Sequence, residues 1–217
     1  PGQTGSCMVL VTPDAERTMC TFLGATSQLD AHALHPHDIA KAKVYYMEGY
    51  LAASPTGLQA ALEGRQIAQQ HRVQTALTLS DVSMINFCRA GLEAMLGDGL
   101  DYLFANEEEA QVWCGTTALE EILPQLQKLA RTVCLTRGPK GCIVLRDNDT
   151  VSVPAVPTQA VDTNGAGDMF AGTFLYGVTH GMGDEQAATL ANRAAAQVVA
   201  QHGNRLTQAQ MQALLQA

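Results

Sequence analysis

A run of small residues followed by an aspartate, near the C-terminal end, is the part of this sequence best suited to chemistry. Residues 161–172 read VDTNGAGDMFAG, so Gly165, Ala166 and Gly167 stand directly before Asp168. Small residues allow successive backbone N–H groups to converge on an anion at the start of a helix. A carboxylate beside such an anion cradle (residues 165–167) could accept a hydroxyl proton while the cradle stabilises charge on a phosphate. The pattern therefore suggests phosphoryl transfer to an alcohol.

Two better-known glycine motifs do not fit these residues. The dinucleotide-binding fingerprint needs a third glycine where this chain has Phe170, and a Walker A loop needs a Gly-Lys pair that the chain lacks. A plainer alternative is a small-residue turn before a buried helix, whose dipole favours a carboxylate such as Asp168 in its first turn. Taken alone, the short motif leaves the phosphate site and the plain turn equally open.

Alternating strands and helices are predicted to position this motif. The strand predictions cover residues 44–49, 74–79, 100–104 and 132–136, with a hairpin of 7–11 and 17–22 around a turn at 12–15, and a short antiparallel pair of 142–145 and 150–153 around a turn at 147–149. The helix predictions cover residues 58–71, a segment ending near 97, 119–130, 166–181, 184–201 and 207–216. Such alternation predicts a mostly parallel sheet covered on both faces, with ligands at the carboxyl ends of its strands.

Two further segments follow predicted strands directly. Asn106 and three glutamates, ending at Glu109, come after the strand at 100–104, and an acidic first helical turn is their favoured interpretation on the residues alone. Residues 136–141, TRGPKG, follow the strand at 132–136, and an ordinary turn is the favoured interpretation there. Both segments nevertheless fall where the ligands of a parallel sheet bind.

Composition limits the classes of partner. The 217 residues are 47% apolar, enough for one sizeable core. Thirteen basic against 21 acidic residues, with no basic stripe, argue against nucleic acid as a partner. No apolar run approaches membrane-spanning length, which argues against a membrane partner. The six cysteines form no Cys-x-x-Cys pair, so we expect buried, reduced thiols and a cytoplasmic protein.

The segment from residue 161 through Tyr176 and Gly177 resembles the second signature of the ribokinase (PfkB-type) family of sugar and nucleoside kinases. Thr173 departs from it, since many members carry Ala or Gly there. Weaker matches precede it in family order, at residues 4–6, 12–19, 48–50, 79–81 and 106–109. The nearest likeness is to bacterial adenosine-kinase-like members. The resemblance implies a ribokinase-like α/β fold, a mostly parallel sheet sandwiched by helices, with residues 1–24 as the remnant of a small β-lid and residues 25–217 as the nucleotide-binding core.

The activity that the resemblance implies is ATP-dependent phosphorylation of a primary hydroxyl of a nucleoside, adenosine first, or of a sugar. Asp168 would act as the base, and the N–H groups of Gly165, Ala166 and Gly167 would hold charge on the phosphate. Arg17 resembles an arginine that approaches the transferred phosphate in adenosine-kinase-like members, although a solvated hairpin arginine is the alternative.

The resemblance also supplies ligands for the cofactors. Asn106 and Glu109 match an Asn-x-x-Glu motif that organises Mg²⁺ and the phosphates. Asp162 and Thr163 begin a loop that binds a monovalent cation in many relatives, so K⁺ is a candidate. Backbone contacts to ATP would come from three positions, Thr136, Gly138 and Gly141. Asn192 matches an adenine-side asparagine, and a polar residue on an alanine-rich packing face is an equal alternative.

Members of the family begin with a strand, a sugar-binding aspartate, a Gly-Gly segment and most of the lid, and none of these precedes Pro1. We therefore expect the natural polypeptide to extend upstream of Pro1. The expected partner is a small-molecule substrate, and the expected assembly is a monomer or a homodimer. A rival function is a non-catalytic nucleotide or sugar sensor that retains the fold, but an intact Asp168 argues against it because a sensor needs no base.

Overall fold

The computed structural model describes residues 2–12, 17–147 and 149–216. The strands are β1 (Ser6–Val11), β2 (Arg17–Phe22), β3 (Val44–Glu48), β4 (Gln74–Thr78), β5 (Leu100–Asn106), β6 (Ala130–Thr136), β7 (Cys142–Arg146) and β8 (Asp149–Val153). The α-helices are α1 (Pro36–Lys41), α2 (Pro55–Gln70), α3 (Val82–Leu96), α4 (Glu107–Cys114), α5 (Leu119–Gln127), α6 (Ala166–Thr179), α7 (Asp184–Val199) and α8 (Gln208–Gln216). Short 3-10 turns occur at Gly24–Gln28, Ala31–Ala33, Gly49–Ala53 and Gly138–Lys140.

The predicted hairpin is confirmed. Strands β1 and β2 pair antiparallel, with Ser6 opposite Phe22 and Val11 opposite Arg17. The predicted turn between them lies mostly outside the described residues, of which Thr12 is the last before the strand resumes at Arg17. Arg17 begins β2, but its side chain is not among the described parts of the chain.

The main sheet has the strand order β3-β4-β5-β6-β7-β8. The β3–β4 and β4–β5 pairs are parallel, with Val44 opposite Gln74 and Ala76 opposite Tyr102. The predicted strands at 44–49, 74–79, 100–104 and 132–136 are thereby confirmed to within two residues at either end. Strands β7 and β8 are neighbours as predicted, and Asn148, in the turn predicted between them, lies outside the described residues.

The chain divides into two compact units. The first comprises Pro1–Gly5, Leu23–Leu135 and Leu145–Thr150. The central apolar side chains of its strands β4 to β6, such as Leu77, Leu103 and Leu135, have no exposed surface. Burial on both faces is the usual environment of parallel strands. Helix α2 begins three residues earlier than predicted, because Ser54 caps it by accepting the Gly57 N–H at 3.0 Å and Pro55 occupies its first position.

The second unit comprises Ser6–Phe22, Thr136–Val144 and Val151–Ala217. Phe170 and Phe174 of α6 are buried and stacked, with ring centroids 6.3 Å apart. Helices α6 and α7 approach closely at Gly177, where an added Cβ would lie 2.9 Å from the Cβ of Ala187. The three predicted C-terminal helices are confirmed as α6, α7 and α8. This unit holds the motif that begins at residue 161.

The structural domain boundary predicted between residues 24 and 25 stays a prediction. Within the described ranges, every helix is too short or too polar to cross a membrane.

Candidate active site

Helix α6 begins at the glycine-rich motif, where Gly165 and Ala166 are half-buried and Gly167 is exposed. Gly165 caps the helix in the left-handed conformation, with φ 78° and ψ 5°, and contributes no side chain to the cap. The Gly165 carbonyl accepts the N–H of Met169 at 2.9 Å, while the Ala166 N–H turns back to the Thr163 carbonyl at 3.3 Å. The N–H of Gly167, in the first turn, has no acceptor within the helix. The helix start therefore presents donors to an incoming anion.

The two glycines of the anion cradle have different structural roles. An added Cβ at Gly165 would lie 2.6 Å from the Cβ of Asn204 and 2.8 Å from its carbonyl oxygen, and the positive φ disfavours any other residue. Gly167 is exposed, and an added Cβ there would meet nothing within 4 Å. The missing side chain of Gly165 thus allows the start of α6 to pack against Asn204, whereas the missing side chain of Gly167 leaves open space beside the backbone.

Asp168 lies in the first turn of α6, one residue beyond Gly167, and is exposed. In the part of the chain that the structure describes, no hydrogen bond or ion pair engages its carboxylate. An unengaged carboxylate beside open backbone donors can accept a proton from a group bound between them.

Asp162 organises the loop that leads into the cradle. Its side chain is buried, with 5% of its surface exposed. One carboxylate oxygen accepts the Asn164 N–H at 2.9 Å and the other accepts the Gly203 N–H at 3.1 Å. The Val199 carbonyl accepts the N–H groups of both Val161, at 2.7 Å, and Asp162, at 3.2 Å. The potassium role predicted for Asp162 and Thr163 stays a prediction.

The segment that is hydrogen-bonded to this loop, residues 199–204, was not predicted from the sequence. Its Gly203-Asn204 pair is a turn signal, and Gly203 indeed has a positive φ of 95°. Its partner in the hydrogen bond, Asp162, lies 41 residues earlier in the sequence. A local pattern cannot show so distant a contact.

The turn at residues 136–141 is built from its own backbone. The Arg137 N–H donates to the Gly141 carbonyl at 2.8 Å, and the Gly141 N–H donates to the Gly138 carbonyl at 3.0 Å. Gly138 is exposed, with φ 52° and open space around it, and Thr136 is half-buried at the end of β6. Gly141 is buried, and both its backbone groups are paired within the turn. Its predicted backbone contact with ATP stays a prediction. Thr136 and Gly138 keep their predicted nucleotide contacts as predictions.

Asn192 is buried on α7 with its amide already engaged. The Asn192 Nδ2 donates to the carbonyl oxygens of Val153, at 3.3 Å, and Pro154, at 3.0 Å. Burial raises the pKa of Cys142 to about 11, and a hydrogen bond between this thiol and Asn192 acts in the opposite direction. Asn192 thus ties the end of β8 to α7, as the packing alternative expects, and its predicted contact with adenine stays a prediction.

An open groove of about 180 Å³ lies on the next face of α7. Its walls are residues 156–158 and four residues of α7 and its end, namely Arg193, Ala196, Gln197 and Ala200. Its α7 wall combines small alanines with Arg193 and Gln197, which lie one helical turn apart. The volume suits a planar ring better than a whole nucleotide, since pockets for larger ligands usually exceed about 300 Å³. Sequence reasoning noted this helix but not the groove.

Asn106 and Glu109, which belong to the first unit, form a capping box at the start of α4. The Asn106 Oδ1 accepts the Glu109 N–H at 2.8 Å. The Glu109 carboxylate accepts the Asn106 backbone N–H at 3.0 Å and its side-chain Nδ2 at 2.8 Å. The acidic first helical turn is therefore confirmed. The pair also fits Mg²⁺ held through water, because these are hard oxygen ligands at a strand's carboxyl end and a carboxylate has lone pairs beyond one hydrogen bond per oxygen.

The fold is of the α/β class, and its helix α6 begins at a glycine-rich turn followed at once by a carboxylate. Residues 2–210 match the family described as pfkB family carbohydrate kinase. The chain belongs to this family.

Named relatives include both sugar and adenosine kinases. The uncharacterised sugar kinase YegV of Escherichia coli is 30% identical over 219 residues, covering 93% of this chain and 63% of the relative. Adenosine kinase 1 of Arabidopsis thaliana is 32% identical over 202 residues, covering 84% of this chain and 58% of the relative. The chain therefore spans about three fifths of the length of these curated relatives.

Solved structures agree on the fold. The crystal structure of adenosine kinase from Sinorhizobium meliloti has a TM-score of 0.93 and 36% identity, covering 98% of this chain and 65% of that one. A putative ribokinase II from E. coli, solved in complex with ATP and Mg²⁺, has a TM-score of 0.87 and 19% identity, covering 98% of this chain and 71% of that one. The ribokinase-like fold expected from the sequence is confirmed.

Proposed function

We propose that the protein is an ATP-dependent kinase that phosphorylates a primary hydroxyl of a nucleoside, adenosine first, or of a sugar. The observation that carries the proposal is the exposed Asp168 carboxylate one residue beyond the open backbone of Gly167, in the first turn of α6. A base and an anion site so close together are what transfer of a phosphoryl group to an alcohol requires.

Each part of the site then has a role. The acceptor hydroxyl lies between Asp168 and the cradle, and its proton passes to the Asp168 carboxylate as its oxygen attacks phosphorus. The first N–H groups of α6 stabilise the charge that develops on the phosphoryl oxygens. The phosphoryl group would come from ATP, whose bond between the γ-phosphorus and the bridging oxygen breaks so that ADP leaves, and Mg²⁺ would offset the charge on the phosphate oxygens. Asn106 and Glu109 would hold the metal through its waters.

The groove on α7 is the proposed site of the nucleotide base. It belongs to the same unit as the cradle, and α7 ends at Val199, whose carbonyl holds the loop at residues 161–162. Arg193 can stack on a base by its guanidinium plane. Gly138 and Thr136 are proposed to contact the same nucleotide by their backbone.

Adenosine is the first-choice acceptor because adenosine kinases occur among the relatives in both sequence and structure. A relative named a sugar kinase keeps sugars as the second choice. All six cysteines are free thiols, but only Cys134 and Cys142 are buried as expected, and Cys7 and Cys20 are exposed. Free thiols support the proposed reducing, cytoplasmic location. K⁺ dependence and a monomeric or homodimeric state remain part of the proposal.

An acceptor panel tests the function against the sensor alternative. The purified protein is incubated with ATP, Mg²⁺ and a set of nucleosides and sugars, ADP is measured, and the phosphorylated product is located by ³¹P NMR. A kinase gives ADP with a matching phosphate ester on a primary hydroxyl. Binding of nucleotide and acceptor without any product would favour the sensor, and robust activity on fructose 6-phosphate alone would overturn adenosine as first choice.

A further inference from the structure

The loop that enters the anion cradle contains the only Asn-Gly pair of the sequence, Asn164-Gly165. Each of the other five asparagines precedes a larger residue. We propose that Asn164 is a site of spontaneous deamidation, and that the modified loop holds a phosphate in the cradle less well. The chemical step follows from the residues and the turn they form, whereas its effect on phosphoryl transfer rests on the proposed function.

Deamidation of Asn164 needs no enzyme and no reactant other than water. The Gly165 nitrogen, which no neighbouring Cβ shields, attacks the side-chain carbonyl carbon Cγ of Asn164 and closes a succinimide ring. The bond between Cγ and Nδ2 breaks, and the amide group leaves as ammonia with the proton from the Gly165 nitrogen. Water then opens the ring at either carbonyl. One product is aspartate, and the other is isoaspartate, in which the main chain runs through the side chain of residue 164.

Asn164 and Gly165 are the two central residues of a tight turn. The Ala166 N–H closes this turn by donating to the Thr163 carbonyl at 3.3 Å. The dihedral angles of Gly165, φ 78° and ψ 5°, are those of the third residue of a type II turn. The peptide between residues 164 and 165 must rotate before the Gly165 nitrogen can reach Cγ. Glycine permits this rotation because it adopts either sign of φ without strain.

Neither reacting group is held by another contact. Among the described residues, the side-chain amide of Asn164 makes no hydrogen bond, and neither does the Gly165 N–H. Asn192, by contrast, donates its amide to two carbonyl oxygens, and the Asn106 amide belongs to the capping box of α4. Asn164 is also only half-buried, so water has access to the loop. The Asn164 side chain is therefore free to turn toward its neighbour.

Both products change the loop directly before the cradle. Aspartate at residue 164 adds a carboxylate beside Gly165, and its like charge opposes a phosphate. Isoaspartate adds the same charge and also lengthens the main chain between Asp162 and the first turn of α6. Because misplacing a catalytic group by about 1 Å can cost about 10²-fold in rate, we expect the isoaspartate form to have a kcat about 10²-fold lower. The aspartate form, which keeps the main-chain length, should lose less.

Peptide mapping of the purified protein during incubation at mildly alkaline pH tests the chemical step. Isoaspartate-specific methylation and mass spectrometry identify the modified residues. Asn164 should be converted before any other asparagine. The matched control is Asn86, which is more exposed but lies within α3 and precedes Phe87. Conversion of Asn86 as fast as Asn164 would overturn the proposal, and so would an intact Asn164 after a synthetic peptide of residues 161–170 has been converted.

Kinase rates of the same samples test the consequence. The rate should fall in step with the modified fraction at residue 164. Asn164→Gln, whose longer side chain closes the corresponding ring far more slowly, should keep its own starting rate over the same incubation. A phosphate bound at the first N–H groups of α6 would restrain the turn, so ATP with Mg²⁺ should slow the conversion.

ATP affinity, measured by calorimetry on fresh and incubated protein, gives a readout that does not need activity. The incubated protein should bind ATP more weakly. Equal affinity together with an equal rate in the modified protein would overturn the effect on the cradle. An absence of kinase activity in the fresh protein would sink the proposed function, and the peptide map and the ATP affinities would still decide on Asn164.

Discussion

Alanine substitutions at two glycines of α6 should distinguish the effect of the anion cradle on catalysis from the effect of helix propensity on stability. Gly167 and Gly172 are both exposed, and an added Cβ would meet nothing within 4 Å at either position. Alanine is a better helix former than glycine by about 0.8–1.0 kcal/mol in a helix interior. Gly167→Ala and Gly172→Ala should therefore each leave the protein as stable as before, or more stable by up to about 1 kcal/mol.

Their effects on catalysis should differ. The methyl group at residue 167 occupies the open space where a phosphate oxygen would approach the first-turn N–H groups, whereas residue 172 lies in the second turn, beyond those groups. Loss of one oxyanion donor typically costs about 10²–10³-fold in kcat. We expect Gly167→Ala to approach that loss and Gly172→Ala to match the unsubstituted enzyme.

Thermal melts and initial rates of ADP release with the best acceptor form the assay. A gain of about 1 kcal/mol corresponds to a rise of about 2–4 °C in melting temperature for a chain of this size. Equal kcat values for the two variants would refute the role of the cradle. A fall in stability of Gly167→Ala alone would refute the assignment of open space around that residue.

Three other predictions concern the metal, the nucleotide and a buried thiol. Glu109→Gln keeps an oxygen for the capping box but loses the charge of the carboxylate, so it should raise the Mg²⁺ concentration needed for half-maximal rate. The control is Glu108→Gln, at an exposed acid of the same first turn, which should leave that concentration unchanged. Equal Mg²⁺ titrations of the two variants would mean that the segment only caps the helix. Arg193→Ala should raise the Kd for ATP several-fold, measured by calorimetry, with no change in acceptor KM; an unaltered Kd would remove the groove from the nucleotide site. The folded-state pKa of Cys142 is raised from 9.0 to about 11, so its protonated thiol contributes stability that is present below pH 9 and lost as pH rises through 11. The difference in free energy of unfolding between the unsubstituted protein and Cys142→Ala, from urea melts, should shrink by up to about 3 kcal/mol over that range, and a constant difference would contradict the burial of this thiol.

The strands could be predicted from the sequence because buried strands have a locally apolar composition. Leu77, Leu103 and Leu135 stand in short apolar runs bounded by turn residues, and such runs fit a sheet covered on both faces. The hairpin and the C-terminal helices were also predicted correctly from the sequence. The start of α2 was placed too late, although the Ser54-Pro55 pair carries both a capping residue and a first-turn proline.

The motif at residues 165–168 could also be recognised in the sequence, but the contacts that determine its conformation could not be predicted. Gly165 needs its positive φ and its missing side chain because of Asn204, which lies 39 residues later. Asn192 was open between two roles because its amide's acceptors, on residues 153 and 154, are as distant in the sequence. Sequence patterns report periodicity and turns, whereas these contacts depend on how the connected segments fold back on one another.

In the proposed mechanism, Asp168 removes the acceptor's proton during phosphoryl transfer. Single-turnover measurement of the transfer step in Asp168→Asn, with ATP affinity measured in parallel, tests it most directly. A positioned base contributes about 10²–10⁴-fold, so the rate of transfer should fall by that factor while the Kd for ATP and the melting temperature stay unchanged. A transfer rate in Asp168→Asn equal to that of the unsubstituted protein would contradict the account.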